Sequence, residues 1–154
     1  MRQEEKQGMN SVIVTCRNCS TKNRVPAAKQ HLRPKCGRCR KELEMTGKAI
    51  PVELDDHSFN EFIGQARLPA MVDFFSPTCG PCQMLAPVVD RLATRYFGRA
   101  IIAKFDTSRN PAIANRYGIR GVPTLLFFKG GQLRDQLTGA VPEQVIAQKL
   151  DGIL

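Results

Sequence analysis

Four cysteines, Cys16, Cys19, Cys36 and Cys39, sit in a stretch with too few large apolar residues to fold by burial alone. Their spacing is C-x2-C, sixteen intervening residues, then C-x2-C. In that pattern two short knuckles aim four thiolates at one point. A four-sulfur set leaves no open coordination position. The site is therefore expected to be structural, with one zinc ion supplying free energy that the small segment lacks. Iron satisfies the same sulfurs, and zinc is preferred on availability. Ordinary reduced thiols, or two separate redox pairs, are the alternative. His31, inside the loop, reads as a solvated side chain.

Charge separates this segment from the rest. Of the net +9, residues 1–45 hold eleven Lys and Arg against four Asp and Glu, and residues 46–154 hold twelve against ten. Two differently built units follow. The basic face raises nucleic acid as a partner, but residues 1–45 contain no Phe, Tyr or Trp on which a base can stack. A solvated face, or one that meets proteins, is the preferred reading. The opening MRQEEKQGMNSV lacks the apolar core of a secretory leader, and no window approaches the roughly 18 apolar residues of a membrane span. The expectation is a cytoplasmic protein with no membrane partner. In a reducing compartment, six cysteines point to metal and redox chemistry rather than a disulfide scaffold.

Beyond Met45 the pattern changes. TGKAIPVEL reads as a linker entering a strand, DDHSFNEFIGQA as a capped helix and PAMVDFFS as a strand buried on both faces. Residues 79–97 have helical spacing around Pro87. AIIAKFD is a strand, NPAIANRYG a helix opened by Asn110 and Pro111, TLLFFKGGQLRDQLTG a hairpin and VPEQVIAQKLDGIL an amphipathic helix. This order predicts an α/β fold with a mixed central sheet and helices on both faces. At the exit of its buried strand stand Cys79 and Cys82. The helix N-terminus there favours a thiolate at Cys79, and Cys82, one turn on, is close enough to form a disulfide with it. Asp73 lies inside an apolar run, where a charge is costly unless it has a task; a satisfied structural Asp at a strand end is the alternative.

VDFFSPTCGPC together with YGIRGVPTLLFFKGG resembles thioredoxin over residues 51–154. With the four-cysteine segment in front, the whole chain is similar to the zinc-bearing bacterial thioredoxins, the thioredoxin 2 type. The resemblance implies a thioredoxin fold preceded by a small N-terminal zinc ribbon, divided as ribbon 9–45, linker 46–50 and thioredoxin domain 51–154. It implies that Cys79 attacks a substrate disulfide, that Cys82 resolves the mixed disulfide, and that Asp73 is the buried acid beneath Cys82. Lys104 matches the lysine near that acid, although its pattern also fits a solvated strand edge. Gly80, Pro81, Val122 and Pro123 are implied as the substrate-binding face, with Pro123 cis; by its local sequence alone Pro123 could equally be trans. Pro87, Gly131 and Gly139 match structural positions. The chain departs from the family in having no tryptophan, with Phe75 and Thr78 where tryptophans usually stand, and Gln83 in place of a basic residue.

The implied activity is reduction of protein disulfides. No G-x-G-x-x-G follows a strand, so electrons are expected from a partner, by resemblance an NADPH-dependent thioredoxin reductase. The rival reading is a zinc-ribbon adaptor or sensor that binds protein or nucleic acid and carries a redox-responsive thioredoxin domain.

Overall fold

The computed structural model describes residues 11–45 and 49–154. The reading of MRQEEKQGMN, and of residues 46–48 as linker, lies outside the described residues, as does the His31 side chain.

A two-stranded antiparallel sheet pairs β1 (Ser11–Thr15) with β2 (Lys22–Pro26). Alternation places Val14 and Val25 inward, where they pack with Cys16, Cys36, Leu43 and Met45. These strands were not foreseen, because the segment is basic and only two short apolar runs mark them. A 3-10 helix (Ala27–Leu32) follows. The ribbon is tied to the larger unit: buried Gln30 donates from Nε2 to the Ile50 carbonyl (2.6 Å) and accepts the Ile50 N–H at Oε1 (3.2 Å). Phe97 packs against the ribbon core.

The larger unit is a five-stranded sheet in the order β3-β5-β4-β6-β7. Its strands are β3 (Val52–Leu54), β4 (Ala70–Phe75), β5 (Ile101–Asp106), β6 (Thr124–Lys129) and β7 (Gln132–Thr138). β3, β5 and β4 run parallel, while β6 is antiparallel to both β4 and β7. Helices α1 (Phe59–Gln65) and α3 (Pro111–Arg116) accompany one face; α2 (Gly80–Arg95) and α4 (Glu143–Asp151) cover the other. The β6–β7 turn uses Gly130 and Gly131 at φ 62° and 79°, a pair of positive angles that fits the strand twist and that side chains resist. Pro87 lies inside α2, which continues through it.

One cap differs from expectation. Asn110 precedes α3, but its side chain makes no capping bond; it accepts the Asp56 N–H at Oδ1. The first turn is capped from across the fold by Asp56, whose carboxylate accepts the N–H groups of Ala112 (3.2 Å) and Ile113 (3.0 Å). A negative group at a helix start is favourable, and the bond fixes α3 to the turn before α1.

On the α1 face, Phe59 is fully buried and touches the rings of Phe74, Phe105, Tyr117 and Phe128 at 5.6 to 6.1 Å between centroids. On the α2 face, buried Tyr96 donates its hydroxyl to Asp151 (2.8 Å) and the Ala147 carbonyl (3.2 Å), holding α4 in place. Because Phe59 joins four aromatic neighbours, Phe59→Ala is expected to cost about 3–5 kcal/mol and Phe59→Leu less than half of that, as read from urea denaturation midpoints.

A helix-capping disulfide, a buried carboxylate and a four-thiol cluster

Strand β4 is buried along nearly its whole length and delivers the chain to α2 through the short loop Ser76-Pro77-Thr78. Cys79 occupies the N-cap of α2 in extended conformation, and its sulfur accepts the Cys82 N–H at 3.2 Å. Cys79 and Cys82 are joined in a disulfide. Cys79 is half-buried and Cys82 buried, so an incoming group meets Cys79 first. Gly80 and Pro81 between them are exposed. The Val122–Pro123 bond is cis, and the Val122 carbonyl oxygen lies 3.6 Å from Cys79 Sγ. Pro123 is buried and its carbonyl accepts the Gly139 N–H at 2.8 Å. All four residues expected to face a substrate are thus gathered round one sulfur. A groove of about 430 Å³ lies elsewhere, between the 3-10 helix, β3 and α1, and none of these residues lines it.

Asp73 shares a sheet face with Met71, the face that α2 covers, and is 1% exposed. Its Oδ1 has no hydrogen-bond partner among the described residues. Burial pushes its carboxyl up to about 7, and the Lys104 ammonium draws it partly back. Lys104 is the register partner of Asp73 on β5, half-buried, with Nζ 4.9 Å from the centroid of the Phe75 ring.

The four other cysteines converge. Their sulfurs lie within 4.8 Å of one another, with Cys16–Cys39 and Cys19–Cys36 at 3.6 Å. A tetrahedron with metal–sulfur bonds near 2.3 Å has edges of about 3.8 Å, so the set fits one zinc-sized ion. The knuckles are built alike. Cys16 N–H bonds Thr21 O and Ser20 N–H bonds Cys16 O; Cys36 N–H bonds Lys41 O and Arg40 N–H bonds Cys36 O. Ser20 and Arg40 take left-handed φ of 62° and 67° to close them. Backbone N–H groups of Cys39 and Arg38 hold the Cys36 thiol down at about 6, and the Lys41 N–H lowers Cys39. Such thiols are ready ligands.

Asn23 was not foreseen. Its Oδ1 accepts the Gly37 N–H at 2.9 Å, and its Nδ2 donates to Thr21 O at 3.1 Å and toward Cys36 Sγ at 3.5 Å, stapling one knuckle to the other. Nothing in the linear sequence marks it, because its partners in the second knuckle lie thirteen and fourteen residues away.

A redox-capable cysteine pair capping a helix on a mixed sheet, behind a four-thiol ribbon, defines a class of thiol-disulfide protein. Comparison with known sequences agrees. The family described as "Thioredoxin" matches residues 50–152, and the one described as "Thioredoxin 2, N-terminal" matches residues 15–41. The chain belongs to the thioredoxin family. It is 46% identical over 102 residues to "Thioredoxin" of Synechocystis sp., covering 66% of this chain and 95% of that one. It is 48% identical over 107 residues to "Thioredoxin 2" of Chlorobaculum tepidum, covering 70% and 96%. A longer match, 130 residues at 35% identity, covers 84% of this chain and 93% of "Thioredoxin M-type, chloroplastic" of Chlamydomonas reinhardtii.

The raised Asp73 carboxyl bears on stability. The unfolded chain loses this proton near 3.8 and the folded protein near 7, so the folded state holds the extra proton between those values. Stability therefore falls as pH rises through that window, and the full cost is present above it. Asp73→Asn is expected to stabilise the protein by about 2–3 kcal/mol at pH 8 and by much less at pH 4, compared by urea denaturation at the two values.

Proposed function

We propose that the protein reduces protein disulfides through Cys79 and Cys82. The observation that carries this reading is the Cys79–Cys82 disulfide at the N-cap of α2, with the buried Asp73 on the sheet face below. In the reduced protein the Cys79 thiolate attacks one sulfur of a substrate disulfide; that bond breaks, the first substrate thiolate leaves and a mixed disulfide forms. Cys82 then gives its proton to the Asp73 carboxylate, and its thiolate attacks Cys79 Sγ. The mixed disulfide breaks, the second substrate thiolate leaves and the Cys79–Cys82 bond is restored. Two electrons have passed to the substrate. A carboxyl at about 7 suits this task, since it takes and returns a proton near neutral pH. The Val122 N–H has no partner among the described residues, which suits pairing with an extended substrate segment beside Cys79. Gly80 and Pro81 complete that face.

The electron donor in this reading is an NADPH-dependent thioredoxin reductase, the compartment is the cytoplasm, and Lys104 supports Asp73. The units are a ribbon at 9–45, a linker at 46–50 and a thioredoxin domain at 51–154. Cys16, Cys19, Cys36 and Cys39 hold one structural zinc ion, which joins two knuckles that share only a small apolar core.

Cys82→Ser is expected to accumulate a covalent adduct with a protein disulfide, seen by mass spectrometry, while Cys79→Ser forms none. The potential of the Cys79–Cys82 pair is expected near the roughly −270 mV of thioredoxin; a value toward about −120 mV makes the pair an oxidant and overturns the reading. For the metal, one zinc per chain is expected, and its removal by a strong chelator should abolish amide-exchange protection in residues 11–45 while leaving the five-stranded sheet protected.

A further inference from the structure

The sheet face that carries Asp73 holds three charged groups in one row. Glu53 on β3 is in register with Lys104 on β5, and Lys104 is in register with Asp73 on β4. Register partners on adjacent strands point to the same side, so the Lys104 ammonium stands between two carboxylates, one exposed and one buried. The exposed one is the easier partner, because it needs no dehydration. Yet no ion pair joins Lys104 to either carboxylate; the ammonium rests over the Phe75 ring instead, 4.9 Å from its centroid. Phe75 lies two residues beyond Asp73 on β4, hence on the same face. The ring thus holds the cation on the Asp73 side of its own strand.

We propose that Phe75 is a positioning residue for the proton transfer of the resolving step: its ring face seats the Lys104 ammonium beside Asp73 and away from Glu53. This rests on the reading of Cys79 and Cys82 as a disulfide-reducing pair. A cation held there favours the charged form of Asp73, which is the form that accepts the Cys82 proton. Without the ring, the long lysine side chain is free to pair with Glu53, and Asp73 loses its nearest positive charge. Other ionisable groups about this face are few. β5 adds Asp106, in register with Phe75; α2 carries Cys82, bonded to the N-cap Cys79, with the exposed Asp90, Arg91, which is paired with Glu143, and Arg95 over the Tyr96 ring; α4 adds Lys149, paired with Asp135, and Asp151, which accepts the Tyr96 hydroxyl; and β6 carries only Lys129, five residues beyond Thr124.

The experiment is a pH titration of the Asp73 carboxyl by carbon NMR in the oxidised full-length protein. Phe75→Leu is expected to raise the midpoint by about half a pH unit. The sign is diagnostic, since a smaller side chain that merely let water in would lower it. Phe75→Tyr should keep the native midpoint, and Glu53→Gln in the Phe75→Leu background should restore most of it, by removing the competing carboxylate. Lys104→Gln should raise the midpoint, and adding Phe75→Leu to it should change nothing further. An unchanged or lowered midpoint in Phe75→Leu overturns the proposal, as does an equal rise from Phe75→Leu with Lys104 already replaced. Reduction of insulin, with dithiothreitol as electron source, is followed in parallel. If the native protein fails there while the titrations run as expected, the functional reading falls and the seating of Lys104 stands.

Discussion

Strand β4 bears the central conflict of the structure. It pairs with β5 on one side and β6 on the other, so it must be apolar on both faces, and Ala70, Met71, Val72 and Phe74 comply. Asp73 does not. A carboxyl group at 1% exposure, with one oxygen lacking a hydrogen-bond partner among the described residues, is a costly departure from apolar packing. The rest of the large unit is arranged to tolerate it. The Phe59 aromatic cluster stabilises the opposite face of the sheet, and Tyr96 with its two hydrogen bonds fixes the helices on the same face. The loop from Phe75 to Cys79 then brings the disulfide over that face within a few residues.

Much of this was legible in the sequence, for identifiable reasons. Apolar runs such as PAMVDFFS and TLLFFK are of a length that fits strands buried on both faces, and the structure places strands at Ala70–Phe75 and Thr124–Lys129. The thiol cluster was legible because knuckle geometry needs a fixed short spacing, and such spacing survives in one dimension. What escaped depends on residues far apart in the chain. Asp56 caps a helix some fifty residues on, Gln30 binds the backbone of Ile50, and Asn23 reaches Gly37. The seat of Lys104 on Phe75 escaped for the same reason: sequence marked Phe75 only as a missing tryptophan, and the meaning of that ring depends on strand register.

The ribbon is an electrostatic compensation as well as a thiol cage. Residues 11–45 carry Lys and Arg in large excess, and four thiolates about one divalent ion would bring two negative charges into their midst. Arg40 accepts a left-handed backbone where glycine is easier, so one cation is held directly after a ligand position at a conformational cost.

The two groups of sulfur are kept a long way apart by the helix that joins their surroundings. Cys79 caps the first turn of α2, whereas Phe97, just past its last turn, packs against the ribbon core, and Thr94 near the same end donates to the Ala49 carbonyl. Sixteen residues of helix span about 24 Å. Sulfur exchange requires contact, so the rod works as a spacer: within one chain the ribbon thiols cannot capture a mixed disulfide on Cys79, and errors of pairing between the two sets require a second molecule.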